Sequence, residues 1–122
     1  MIYFLKADNK YLKIGTTTNL SNRLSALQAA SPKKLKLAAI LSGSYKTEAG
    51  LHKMFEHLKQ KGEWFKYNEE LRWFIIAIQH NPNENNIYAL YKKSLAMRLK
   101  YKAKRLGRNH KLSKRIERYS EA

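Results

Sequence analysis

The chain has no cysteine, only two prolines and five glycines, and nine acidic residues against 25 Lys and Arg in 122 positions. Without thiols there is no disulfide, no thiolate zinc site and no cysteine nucleophile. No window approaches the roughly 18 consecutive apolar residues of a membrane helix, so a helical membrane protein is excluded. The first ten residues lack the basic n-region and apolar h-region of a secretory signal, and a cytoplasmic location is expected. The shortage of acid is the most informative of these absences. A formal net charge of +16 on so small a protein attracts polyanions, with nucleic acid the expected partner and a membrane surface the runner-up.

What is present fits one small domain with an appendage. Hydrophobic residues make up 43% of the chain, enough for a single core, and no internal repeat or low-complexity tract occurs. The charge is uneven. Residues 1–86 hold 13 basic and 7 acidic side chains, a net of +6, whereas residues 87–122 hold 12 and 2, a net of +10. We therefore divide the chain into a domain at 1–80, a linker at 81–86 around Asn81-Pro82-Asn83, and a basic helical extension at 87–122.

The local pattern predicts α+β structure. Met1 to Leu5 and Tyr11 to Ile14 favour strands, and Asp8-Asn9-Lys10 between them supplies turn chemistry, giving a β-hairpin. Thr16 to Asn19 offer N-cap oxygens ahead of Leu20, Leu24 and Leu27, which predicts a helix over 19–30 that Ser31-Pro32 ends. Leu35 to Leu41 reads as a third strand. Thr47 can cap a second helix with Leu51, Met54, Phe55 and Leu58 on its apolar stripe and Gly62 as its stop. Trp64 to Tyr67 fits a short strand or an extended loop. Asn68 then caps a helix to about His80, and Tyr88, Tyr91, Leu95, Leu99 and Leu106 repeat at helical spacing before a shorter basic segment at 111–119.

Three groupings carry chemistry. Tyr3 and Lys13 fall on adjacent hairpin strands, where a phenol and an ammonium can hold a water near a phosphate. Arg23 lies in the first helix. Glu48 and His52, four residues apart, share one side of the second helix, and a carboxylate for a hard divalent cation beside an imidazole suits phosphodiester hydrolysis. One His and one Glu fall short of the three protein ligands usual for zinc. Each residue also has an ordinary structural reading when taken alone.

Taken in order, Ile2-Tyr3, Lys13-Ile14-Gly15, Arg23, Leu27-Gln28, Pro32, Glu48, Leu51-His52, Phe55 and Gly62-Glu63-Trp64-Phe65 resemble the GIY-YIG nuclease superfamily. The closest likeness is to the phage and bacterial branch with a Lys-Ile-Gly second motif and a Gly-Glu-Trp-Phe end. The resemblance covers about residues 1–80. It implies a small three-stranded antiparallel sheet flanked by helices, one divalent metal ion, Mg²⁺ or Mn²⁺, at a glutamate, and hydrolysis of DNA to 5′-phosphate and 3′-hydroxyl ends. By motif, Tyr3 matches the tyrosine near the attacking water, Arg23 the arginine on the scissile phosphate, and Glu48 the metal ligand. Lys13 replaces the tyrosine that is the favoured base elsewhere in the superfamily, so Lys13 or His52 takes that role, or Lys13 clamps the phosphate. Glu63 either assists the metal or supports Trp64 and Phe65.

In the extension, Lys92, Lys93, Arg98, Lys102, Arg105, Arg108, Lys111 and Arg115 alternate with Tyr88, Tyr91, Tyr101 and Tyr119, which suits tracking a phosphate backbone. Backbone charge does not separate DNA from RNA. A single site cuts one strand, so double-strand cleavage calls for a homodimer or sequential nicking. The alternative function is a nucleic-acid-binding module of the same fold without cleavage, acting as an inhibitor or targeting factor.

Overall fold

A computed structural model describes residues 1–106. The predicted segment at 111–119 and the candidate contacts Arg108, Lys111, Arg115 and Tyr119 lie outside the described residues. Strand β1 (Ile2–Ala7) and strand β2 (Tyr11–Thr16) form the expected antiparallel hairpin. Lys10 N–H donates to the Ala7 carbonyl (3.1 Å), and the two central turn residues, Asp8 and Asn9, take φ of 53° and 57°. This double left-handed conformation matches the twist of the flanking strands, and Asp and Asn are the non-glycine residues that tolerate it best.

Helix α1 (Leu20–Ala30) starts where Asn19 accepts a hydrogen bond from Asn22 N–H (3.1 Å), and Pro32 follows its end. Its Leu20, Leu24 and Leu27 are only half-buried. Strand β3 (Leu35–Leu41) pairs antiparallel with β1, with a bulge opposite Phe4/Leu5. Helix α2 (Tyr45–Met54) begins three residues earlier than a Thr47 cap would place it. Ser44 is the N-cap, and Thr47 completes a capping box by accepting from Ser44 N–H (3.2 Å).

The chain then departs from the expected three-stranded sheet. After a 3-10 turn (Glu56–Leu58), β4 (Lys59–Lys61) and β5 (Trp64–Lys66) form a second hairpin, and β5 pairs with β2. The sheet therefore has five strands in the order β3-β1-β2-β5-β4. Gly62 does not stop α2. It sits at φ +58° in the β4–β5 turn, a conformation that favours glycine. Helix α2 ends at Met54 because Phe55 turns into the core, where its ring meets Phe74 edge-on at 5.0 Å.

Helix α3 (Glu69–His80), capped by Asn68, buries Leu71, Phe74, Ile75 and Ile78. Helix α4 (Ile87–Arg105) is capped by Asn86 and packs mainly on α3. One sheet face carries Ile2, Phe4, Leu12, Ile14 and Phe65 into a core shared with α2, α3 and the start of α4, where Ile87 and Leu90 are buried. Fully burying side chains of this size stabilises by roughly 1.5–3 kcal/mol each. The other face holds the paired positions Tyr3, Leu5 and Ala7 of β1 opposite Gly15, Lys13 and Tyr11 of β2. Among the described residues no helix is long and apolar enough to cross a membrane.

Candidate active site

Four consecutive residues of β2 organise the candidate site. Gly15 faces Tyr3 in the β1–β2 register, and its missing side chain leaves the room that the Tyr3 ring occupies. Tyr3 is fully buried, yet its hydroxyl oxygen reaches the surface cluster by accepting from Arg23 Nε (3.3 Å) on α1. The phenol thus fixes one edge of an otherwise exposed guanidinium. Arg23 keeps its Nη donors, which have no other hydrogen-bond partner among the described residues. The Tyr3 hydrogen bond, then the phenol's charge, raises the Arg23 pKa further above its already high value, and Glu63 adds to this.

Thr16 donates its hydroxyl to Glu48 Oε2. Glu48 lies on the first turn of α2, where the helix dipole favours a carboxylate, and its other oxygen stands 3.6 Å from His52 Nε2. The same His52 nitrogen is 2.9 Å from the Ile14 carbonyl oxygen. A carbonyl only accepts, so Nε2 carries the proton that bridges α2 to β2. Phe65 of β5 packs its ring edge-on against His52, with centroids 4.9 Å apart. Imidazole orientation is therefore set from two sides.

Lys13 completes the set. Its side chain is only 12% exposed, and its ammonium pairs with Glu63 Oε2 at 3.1 Å and sits 5.4 Å from the centroid of the Trp64 ring. Glu63 is carried next to it because Ile14 N–H donates to the Glu63 carbonyl (3.1 Å). Burial pushes the Glu63 carboxyl up. The Lys13 ammonium, the adjoining Glu48 carboxyl and the charge of His52 outweigh it, and the group is held below the usual carboxylate range.

Tyr3, Lys13, Arg23, Glu48, His52 and Glu63 are thus joined in one network at the β1–β2–β5 surface. The basic side chains of α4 stand apart from it. Lys93 pairs with Glu84 (3.4 Å), Arg98 with Glu69 (2.9 Å), and Arg105 lies over Tyr101, while Lys92 and Lys102 are exposed. Thr16 is a member of the site that no sequence motif marks. Its position after Lys-Ile-Gly was the available signal, but a threonine ahead of a helix reads first as a cap.

Among the described residues no group of three or more His, Asp or Glu is arranged as a metal-ligand set. The donors present are two carboxyl groups, Glu48 and Glu63, near enough for one to act on the titration of the other. Such a pair fits a hard cation like Mg²⁺, which takes one or two carboxylates and fills its other positions with water and phosphate oxygens. It does not provide the nitrogen-rich shell of a structural zinc site.

The family model described as the T5orf172 domain matches residues 1–78. No curated protein and no solved structure matches the chain.

Proposed function

Because the chain belongs to the T5orf172 domain family, a GIY-YIG-like phage-type group with nuclease-like and nucleic-acid-binding character, we propose that it is a metal-dependent DNA endonuclease. In this reading it hydrolyses phosphodiester bonds to 5′-phosphate and 3′-hydroxyl ends. The observation that carries the proposal is the convergence of Tyr3–Arg23, Lys13–Glu63 and Glu48 at one part-buried site, each held by a residue of β2 or its partner strand. Cleavage needs an oriented water, positive charge on the non-bridging oxygens and stabilisation of the leaving oxygen.

Arg23 supplies the positive charge, with Nε locked on Tyr3 and its Nη donors turned to a phosphate. The Tyr3 hydroxyl oxygen accepts from Arg23 with one lone pair and from the attacking water with the other, which leaves the water's own lone pair for the phosphorus while its proton passes to bulk solvent. Lys13 acts as a charged donor to the phosphate, fixed by Glu63. His52 is a positioning residue, because its Nε2 proton is committed to the Ile14 carbonyl and its ring to Phe65. Glu48, assisted by Glu63, would hold the Mg²⁺ or Mn²⁺ ion. That ion, when bound, supplies positive charge at the leaving 3′-oxygen.

A second reading has its own support in the Lys13–Glu63 ion pair, which neutralises one carboxylate of the cluster. It makes the chain a binding module of the same fold without turnover. Incubation of supercoiled and single-stranded DNA with the purified protein, with and without Mg²⁺ or Mn²⁺, separates the two. Metal-dependent nicking that Glu48→Ala abolishes is the expected result. DNA binding with no cleavage of either substrate would overturn the endonuclease reading in favour of the silent module.

A further inference from the structure

Beside the network lies a hollow of about 490 Å³ that none of the roles above uses, walled by Tyr11, Pro32, Leu35 and Trp64 and rimmed by Lys33 and Lys61. We propose that this hollow receives an unpaired DNA base next to the scissile phosphate, so that the preferred substrate is single-stranded or locally unpaired. The inference rests on the nuclease reading for the position of the phosphate and on the following features for the base.

The hollow is continuous with the candidate site through one side chain. Trp64 pairs with Lys13 in the β2–β5 register, and the Lys13 ammonium sits 5.4 Å from its ring centroid. Tyr11 stands two residues before Lys13 on the same strand face, about 6.6–6.8 Å along β2. A strand whose phosphate meets Arg23 and Lys13 therefore has its neighbouring base over this hollow. The volume lies in the range of sites that enclose a small organic group, which accommodates one nucleoside-sized unit.

The chemistry of the walls selects the occupant. Two aromatic rings and a proline offer flat apolar surface for stacking, and no carboxylate lines the hollow. Lys61 is exposed and has no ion-pair partner among the described residues, while Lys33 is tied to Asp8 at 2.8 Å. An adjoining hollow that shares Tyr11 continues the basic rim with Lys10, Lys66 and Arg72. Stacking rings inside a lysine border match a base on its phosphate backbone. In a regular duplex the base stays within the stack and cannot enter.

The chain has two tryptophans, and Trp73 lies on α3 against Tyr101, so Trp73→Phe leaves Trp64 as the reporter. The full-length variant, kept in EDTA to prevent turnover, is titrated with a short oligothymidylate, the same strand built from abasic residues, and a duplex. Saturable quenching by the oligothymidylate that the abasic strand fails to produce is the expected result. In the wild-type background, Trp64→Leu, which keeps an apolar side chain on β5, should weaken single-strand binding by about 5- to 150-fold and leave duplex binding unchanged. Tyr11→Leu, on the opposite wall, should act in the same direction.

Equal quenching by abasic and normal strands, or unchanged single-strand affinity in both Leu variants, would overturn the base site. The two proposals fail separately. Base-dependent quenching without any metal-dependent cleavage would retire the nuclease reading and support the pocket, whereas cleavage lost in Glu48→Ala with no base-dependent quenching would overturn the pocket alone.

Discussion

Gly15 stands opposite Tyr3 across the β1–β2 ladder, and a methyl group built there would overlap the Tyr3 hydroxyl. The ring cannot retreat easily, because Tyr3 is fully buried. Gly15→Ala should therefore push the phenol off Arg23. We expect an overpacking cost of about 1–3 kcal/mol in chemical denaturation. Cleavage should fall by about 100-fold, the scale of a 1 Å displacement at a reacting centre. Tyr3→Phe, which keeps the ring and removes the acceptor, should lose cleavage with a smaller change in stability. Full activity in both variants would remove the Tyr3–Arg23 pair from the mechanism.

Glu48 and Glu63 come from different elements, α2 and the β4–β5 turn, yet lie near enough for Glu48 to act on the Glu63 carboxyl. If both hold the cation, Glu63→Gln should weaken Mn²⁺ binding by at least the roughly 10- to 100-fold that loss of an outer partner of a metal costs. Glu48→Ala should abolish detectable binding. Calorimetric titration of Mn²⁺ into each variant checks this. Unchanged affinity in Glu63→Gln would leave that carboxylate as a counter-ion for Lys13 only.

Much of this arrangement was legible from local pattern, and the part that was not is long-range. Strand β3 and helices α1 and α3 appear where alternation, cap residues and Pro32 put them, because each signal is local and strong. Strand β4, Lys59 to Lys61, is exposed at all three positions and so carries no alternation to read. Without β4, the turn at Gly62 and the docking of β5 on β2 leave no local trace either. That docking brings Glu63 to Lys13 and Phe65 to His52 across some fifty or thirteen positions of sequence. Tyr3, Arg23 and Glu48 are visible in the motif, but the hydrogen bond from Thr16 to Glu48 spans 32 positions and depends on the fold. On α4, the helical period was visible, whereas the insertion of Ile87 and Leu90 into the core depends on α2 and α3.

The burial of Ile87 and Leu90 separates two roles of α4. Removing the helix would expose the core, so its electrostatic contribution is better read from substitutions at Lys92, Lys100, Lys102 and Lys104, which are all exposed. Changing these four to Gln should leave stability close to wild type and flatten the dependence of binding on log salt. Each lost phosphate contact removes about 0.9 slope units on duplex DNA or about 0.7 on single strands. Leu90→Ala should do the reverse, costing about 2–5 kcal/mol with the slope preserved. An unchanged slope in the lysine variant would assign those side chains to solvation of the helix.

Tyr91 and Glu70 set an alkaline limit on the docking of α4. Tyr91 donates to Glu70 Oε2 (2.6 Å), while His57 contacts the other oxygen of the same carboxylate (2.6 Å), so one acid ties the 3-10 turn, α3 and α4 together. The hydrogen bond to Glu70 first, then burial and the carboxylate's charge, push the Tyr91 phenol from 10.0 up to about 12. The neutral phenol is the form the fold favours. Its contribution is therefore complete below pH 10, declines as the pH rises and is lost by about pH 12. The melting temperature of Tyr91→Phe should lie below that of the wild type by a constant margin up to about pH 10, and the two curves should converge toward pH 12. Lysine titration affects both proteins alike, so the difference isolates the phenol. A margin that persists unchanged to pH 12 would show that the phenol proton contributes nothing to the docking of α4.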